Sequence, residues 1–113
     1  MPLPRGKFDQ RVGFERATLV ADEYGSEVPS WAEIALPGEV SGRWAALSYG
    51  RGDERREAAR EGGVQPATFI VLADEVTATL TVTDRITFGG VWNITGIVPR
   101  GRAEIEITAV KAS

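Results

Sequence analysis

The sequence predicts an all-β protein, a small antiparallel β-barrel or a sandwich of about six to seven short strands. Several segments alternate apolar with polar residues, and glycine or proline separates most of them. Only one stretch has the composition of a helix, and it lies inside a long charged loop. The 113 residues leave room for one modest core, so residues 1–113 are treated as a single domain.

The first half of the chain predicts an arm followed by strands and a polar turn. Residues 1–8 contain prolines and a glycine before any periodic pattern, which predicts a flexible N-terminal arm. Val12 and Phe14 alternate with polar or small neighbours, as in a half-buried strand. The predicted segments after the arm are a strand over 11–17, a turn over 22–27, a strand over 30–36, a bend at Pro37-Gly38 and a strand over 39–47.

Residues 48–63 differ from the rest of the chain because they are charged, rich in glycine and almost free of large apolar side chains. Residues 53–61 begin with acidic residues, continue with good helix formers and end before Gly62, which predicts a short helix. A helix of this length is marginal in water. We therefore expect a long mobile loop that a partner orders, and such loops commonly carry function.

The second half of the chain returns to strand patterns. Residues 68–73 form a nearly continuous apolar run, which is typical of a central strand buried on both faces. Residues 76–83 alternate apolar residues with threonine and predict another strand. Residues 103–109 alternate small or branched apolar residues with glutamate and threonine, which predicts the last strand.

A hairpin is predicted between these strands, where Gly89-Gly90 separates the segments 84–88 and 91–98. Two glycines allow both central residues of a tight type I′ turn to adopt positive φ. Gly96 indicates a bulge or a close neighbour in the second strand. The alternation places Ile86 and Phe88 on one face of the first strand, and Trp92, Ile94 and Val98 on one face of the second.

Composition excludes several classes of function. The chain has neither cysteine nor histidine, which excludes disulfides, thiolate metal sites and hydrolases with a histidine base. The net charge of −3 argues against broad electrostatic binding of nucleic acid. No apolar run resembles a membrane span or a secretion signal, so we expect synthesis in the cytoplasm of a bacterial host. We predict no enzyme activity, no cofactor and no metal.

Three motifs occur in a characteristic order. Residues 6–12 read GKFDQRV, residues 22–27 read DEYGSE with Trp31 after them, and residues 84–94 read DRITFGGVWNI. In this order and spacing the chain resembles the phage head-tail joining family, whose members are also called head closure or stopper proteins and include versions encoded by gene transfer agents. The resemblance covers nearly the whole chain.

This resemblance implies a structural protein of the particle neck, between capsid and tail. It implies a ring of six subunits on the particle and a monomer in isolation, with a portal-adaptor ring and a tail terminator or tail tube as neighbours. In the family, the long loop after the early strands faces the central channel and helps to retain packaged DNA. That loop corresponds here to residues 48–63, with non-specific contact to DNA as the finer expectation.

The charged residues of that loop are the candidate channel and partner contacts: Arg51, Asp53, Glu54, Arg55, Arg56 and Arg60. Arginine suits contact with phosphate without sequence readout. The acidic residues balance the arginines, so a simply solvated loop is the competing interpretation.

The candidate interface residues lie outside the loop: Lys7, Phe8, Trp44, Glu104 and Glu106. Trp44 borders the loop and is the tryptophan expected at an interface, whereas Trp31 and Trp92 suit the core. Glu104 and Glu106 are expected on the wet face of an edge strand, where they meet arginines of a neighbouring subunit.

Two other functions remain open at this point. An OB-like β-barrel would bind single-stranded nucleic acid through aromatic and basic residues, with tight and salt-dependent binding by the monomer. A small carboxylate-based hydrolase would hold Glu104 and Glu106 in an enclosed cleft.

Overall fold

A computed structural model describes residues 5–35, 42–49 and 64–112. Its strands pair in antiparallel fashion throughout, which confirms the all-β prediction. No helix in these ranges is long and apolar enough to cross a membrane. The elements in chain order are a 3₁₀ turn at Arg5–Lys7, β1 (Gln10–Ala21), β2 (Glu27–Glu33), β3 (Arg43–Ser48), β4 (Val64–Leu72), a 3₁₀ turn at Thr77–Thr79, β5 (Arg85–Thr87), β6 (Val91–Arg100) and β7 (Glu104–Ala112).

The strands form one 7-stranded sheet in the order β2-β1-β3-β4-β7-β6-β5. The sheet closes on itself because β5 also pairs with β1, where Phe14 lies opposite Ile86. Within the described residues β2 stands outside this circuit and pairs with β1 alone. Closure covers the edges of β1 and β5 where they pair, and the hairpin of β2 with the end of β1 keeps free edges beyond that contact.

Two ion pairs lie at one end of the contact between β1 and β5. Arg85 Nε donates to Glu15 Oε1 at 2.7 Å, and the Arg85 guanidinium lies 3.9 Å from the centroid of Trp31. At the next position Arg16 donates to both carboxylate oxygens of Asp84 at 3.1 Å, and this hydrogen bonding raises the pKa of Arg16. The prediction of a core position for Trp31 is wrong, because it is half-buried beneath Arg85.

Aromatic side chains organise the core. The indole of Trp92 meets Phe69 edge to face at 5.4 Å between centroids, and Phe88 meets Phe69 in the same way at 6.2 Å. Trp92 Nε1 donates to the carbonyl of Phe88 at 2.9 Å, so its polar atom is satisfied. The core prediction for Trp92 is therefore confirmed. Its buried neighbours in the closed sheet include Val12, Phe14, Ala45, Val71, Ile86, Ile94 and Ile107.

Gly96 forms the predicted bulge in β6. The register of β6 against β7 shifts between Ile94 and Gly96, and a Cβ atom on Gly96 would lie 2.7 Å from Thr108 Oγ1. An extra residue exchanges the two faces of a strand. Ile97 therefore packs against the core, and Val98 is 56% exposed, so the prediction that Val98 shares a face with Trp92 and Ile94 is wrong.

The hairpin of β5 and β6 is confirmed, but its turn is longer than the predicted two-residue turn. Thr87 pairs with Val91, so residues 88–90 form the connection. Gly89 and Gly90 have φ values of 60° and 138°, which a side chain rarely adopts. The polar turn between β1 and β2 is also confirmed, because the Asp22 side chain accepts the N–H groups of two turn residues at 2.8 and 2.9 Å.

The strand predicted over residues 76–83 is absent from the structure. The Asp74 carboxylate accepts the N–H groups of Val76 and Thr77 at 2.9 and 2.8 Å, and Thr77 Oγ1 donates to the carbonyl of Leu72 at 2.9 Å. Such local bonds give the backbone an alternative to a strand ladder. Val76 and Leu80 are still buried, so the apolar spacing that suggested a strand reports core contact by an irregular connection.

Two glycines with similar backbone angles provide a test of the packing around β3. Gly42 has φ +89° and its absent Cβ would lie 2.9 Å from the Val12 carbonyl, whereas Gly25 has φ +83° and open space around it. Gly25→Ala should cost about 1 kcal/mol of unfolding free energy through the backbone alone. Gly42→Ala should cost at least about 1 kcal/mol more, because a backbone carbonyl cannot turn away. Urea unfolding followed by circular dichroism measures both, and equal losses would contradict the close contact.

Candidate assembly surface

An open groove of about 390 Å³ lies on the outside of the closed sheet, where the N-terminal arm meets β1, β3 and the end of β4. We call it the Trp44 groove. Its lining residues are Phe8, Arg11, Gly42, Arg43, Trp44, Leu72 and Asp74. Phe8 and Trp44 were both candidate interface residues from the sequence, and the fold brings them together.

The outward position of Trp44 follows from strand alternation. Ala45 is fully buried in the core, so its neighbour Trp44 faces outward and is 53% exposed. Arg11 lies opposite Trp44 on β1, with its guanidinium 5.5 Å from the centroid of the indole. An exposed tryptophan beside the exposed Leu72 is the composition of an interface anchor.

One end of the Trp44 groove is held by an ion pair. Arg43 Nε donates to Asp74 Oδ2 at 2.6 Å. Burial raises the pKa of Asp74, but hydrogen bonds from Thr77 and Arg43 outweigh it, and the net pKa lies below the usual range. Asp74 therefore stays charged at neutral pH and holds Arg43 at the groove.

The remaining candidates are divided between this groove and a second one. Lys7 is exposed in the first 3₁₀ turn and lines a second groove of about 420 Å³ beside β3 and β4. The register places Glu104 on β7 directly opposite Leu72, which lines the Trp44 groove, so Glu104 lies beside that groove. Glu106 lies opposite Ile70 and is half-buried.

The prediction that Glu104 lies on the wet face of an edge strand is wrong. β7 lies between β4 and β6, and the Glu104 side chain is only 1% exposed. The Nε of Arg100, directly opposite on β6, lies 3.6 Å from Glu104 Oε1. A buried carboxylate needs a cation beside it, so this pair has a structural role within the subunit. The candidate loop residues Arg51, Asp53, Glu54, Arg55, Arg56 and Arg60 lie outside the described residues.

One exposed surface was not identified from the sequence. The β1–β2 hairpin beyond Arg16, residues 17–32, forms a two-stranded ribbon that we call the acidic ribbon. Leu19 is 61% exposed and Tyr24, in the turn, is 85% exposed, with Val20 and Val28 also exposed. The sequence signal was available in its charges, because no lysine or arginine occurs between Arg16 and Arg43.

A model of the phage head completion protein family matches residues 3–112 of the chain. The chain belongs to this family. The resemblance to head-tail joining proteins is therefore confirmed, and a head completion protein is a structural protein of virion assembly that acts in the particle.

Two solved structures are similar to this head completion protein. Protein SF1141 from Shigella flexneri 2a has 19% sequence identity and a TM-score of 0.62, with 95% of each chain covered. A chain from the virion of a native gene transfer agent particle has 23% identity and a TM-score of 0.61, with 90% of this chain and 92% of that chain covered. At these identities the two structures show a shared fold. No curated protein matches the chain.

The lowered pKa of Asp74 predicts a pH-dependent contribution to stability. A carboxyl group whose pKa is lower in the folded state stabilises the fold above its unfolded pKa, and this contribution is lost as pH falls through the folded pKa. Wild type should therefore be more stable than Asp74→Asn at pH 7, and the difference should shrink as the pH falls below the ordinary aspartate range. Urea unfolding of both proteins at pH 7 and at pH 3 measures this, and a difference that grows in acid would contradict the assignment.

Proposed function

We propose that this head completion protein forms a ring in the particle neck, between the portal-adaptor ring and the tail, where it helps to retain DNA and to attach the tail. The observation that carries the proposal is an exposed aromatic groove on a rigid closed sheet, in a chain that belongs to the head completion family. The similar chain from a gene transfer agent virion supports it, since that protein resides in an assembled particle.

The closed sheet suits a ring subunit for a geometric reason. A closed ring requires head-to-tail contacts, in which two different surfaces of one subunit are complementary. The Trp44 groove and the acidic ribbon are two such different surfaces, one concave and one protruding. Six subunits on the particle and a monomer in isolation are the proposed states.

Residues 48–63 are proposed to narrow the central channel. Ser48 ends β3 and Val64 begins β4, and these strands are neighbours in the sheet. The intervening segment therefore leaves and re-enters the closed sheet on adjacent strands, and its insertion does not interrupt the strand order. Its arginines would contact phosphate without reading sequence.

An oligonucleotide-binding role receives less support. The net charge of −3 disfavours tight contact with phosphate, and Phe14, Phe69 and Trp92 are buried, which leaves base stacking to the exposed Trp44, Tyr24 and Tyr49 among the described residues. Tight and strongly salt-dependent binding of single-stranded DNA by the monomer would favour that role over the ring.

Truncation of Trp44 tests the groove as an assembly surface. Trp44→Ala should change the unfolding free energy by less than about 1 kcal/mol, because the side chain is half exposed. It should lower the amount of protein in purified particles several-fold and leave heads without tails. Val98→Ala is the matched control, since Val98 is equally exposed on β6 and away from the groove. Mass spectrometry of particles and electron microscopy measure both effects, and normal incorporation of Trp44→Ala would remove the groove from the assembly interface.

Deletion of residues 52–62 tests the loop. The closed sheet should still fold, with an unchanged strand signal in circular dichroism, because the deleted residues lie between the strands that form it. Particles should lose DNA to nuclease or fail to join tails. A loop of normal length in which Arg51, Arg55, Arg56 and Arg60 are glutamine separates loop length from charge. An unfolded deletion protein would show that the loop belongs to the core, and intact tailed particles would contradict its role in closure.

A further inference from the structure

We propose that the acidic ribbon of one subunit docks in the Trp44 groove of the next subunit. This inference rests on the proposed ring, and it names the two surfaces and the occupant, a second copy of this chain.

The acidic ribbon exposes apolar side chains on an element that has little support of its own. Within the described residues β2 pairs only with β1, and a two-stranded ribbon is marginal in water without further packing. Tyr24 and Leu19 are nevertheless among the most exposed large side chains of the described chain. Apolar side chains grouped on such a protrusion indicate a partner surface.

The partner does not extend the sheet along the β2 edge of the ribbon. The N–H of Ile34 donates to the carbonyl of Phe14, and the N–H of Asp22 donates to the carbonyl of Ser26. These two bonds determine which residues of β2 direct their backbone N–H and C=O groups toward β1 and which direct them toward the free edge. By this alternation the backbone of Pro29 faces the free edge, and proline has no N–H to offer there. Charged residues flank it at Glu27 and Glu33. Strand addition along β2 is therefore blocked.

The two surfaces have opposite charge. Acidic residues are the charged groups of the ribbon and its turn: Asp22, Glu23, Glu27 and, at its base, Glu33. The lining of the Trp44 groove holds Arg11, Arg43 and Asp74, and the Arg43–Asp74 ion pair offsets its own charges, so Arg11 gives the groove a net positive charge. Opposite charges at the rim of an apolar contact set its orientation and its rate of formation.

The ribbon of a chain cannot reach its own groove, because the two surfaces lie at opposite ends of β1. Arg11 of the groove stands near the start of this 12-residue strand and Ala21 of the ribbon at its end. At about 3.3 Å per residue they are roughly 30 Å apart. A single chain therefore presents both surfaces, and neither covers the other. When one subunit's ribbon binds the next subunit's groove, the repeated contact is head to tail, as a ring requires. Tyr24 would lie against Trp44, a pairing of aromatic anchors typical of interface centres.

Cross-linking in assembled particles tests the contact, and the natural absence of cysteine makes the sites unique. A bismaleimide should convert the double variant Leu19→Cys with Leu72→Cys into a ladder of covalent multimers of this chain. Each single variant should give no ladder, and the double variant Leu19→Cys with Val98→Cys is the matched control. Protein in the particles without a ladder would overturn this inference and leave the ring role standing. A product joined to a different particle protein would show that the ribbon binds that neighbour. Absence of wild-type protein from the particles would overturn the ring role itself.

A charge exchange gives an independent measurement. Glu27→Lys and Arg11→Glu should each lower incorporation into particles several-fold, and the two together in one chain should restore it, because each copy supplies one partner to its neighbour. If incorporation of the combined variant falls by the two single losses added together, the two surfaces are not in direct contact.

Discussion

The pairing of β1 with β5 is the contact on which the rest of the structure depends. β5 is only 3 residues long, yet it closes the sheet through Phe14 opposite Ile86. The ion pairs of Glu15 with Arg85 and of Arg16 with Asp84 hold one end of this short contact. Without it, β1 and β5 would both present free edges, and the buried face of the sheet would open to water. Closure also fixes the direction in which β1 continues into the acidic ribbon.

Alternation of residues was sufficient to predict most of the strands, because it reflects a local property of the backbone. It failed at residues 76–83, where Asp74 and Thr77 bind nearby backbone groups and replace the ladder. It also misplaced Val98, because the bulge at Gly96 exchanges the faces of β6, and the exchange depends on contact with Thr108 on another strand. The sequence therefore predicted the elements well and their faces only where the ladder is regular.

In the candidate site too, the sequence predicted local features but not those that depend on pairing between strands. Trp44 could be chosen from the sequence because it borders the long loop, but its meeting with Phe8 and Leu72 depends on the register of three strands. Glu104 was misread because its burial beside Arg100 comes from the β6–β7 register. The ribbon was missed because exposed valine and leucine in a strand look the same in sequence as buried ones. The strand pairing shows that β1 continues past the closed part of the sheet, so that its last residues stay exposed.

β1 has a mechanical consequence in a ring assembled through its two ends. Tension around the circumference would enter each subunit near Arg11 and leave near Ala21, along the covalent backbone of one strand. Because Trp44 of the groove belongs to β3, the hydrogen bonds that join β3 to β1 would transmit part of this load, and since they run across its direction they would be loaded together in shear, not one after another. The subunit would thus resist stretching of the ring most strongly along the axis on which the ring would pull.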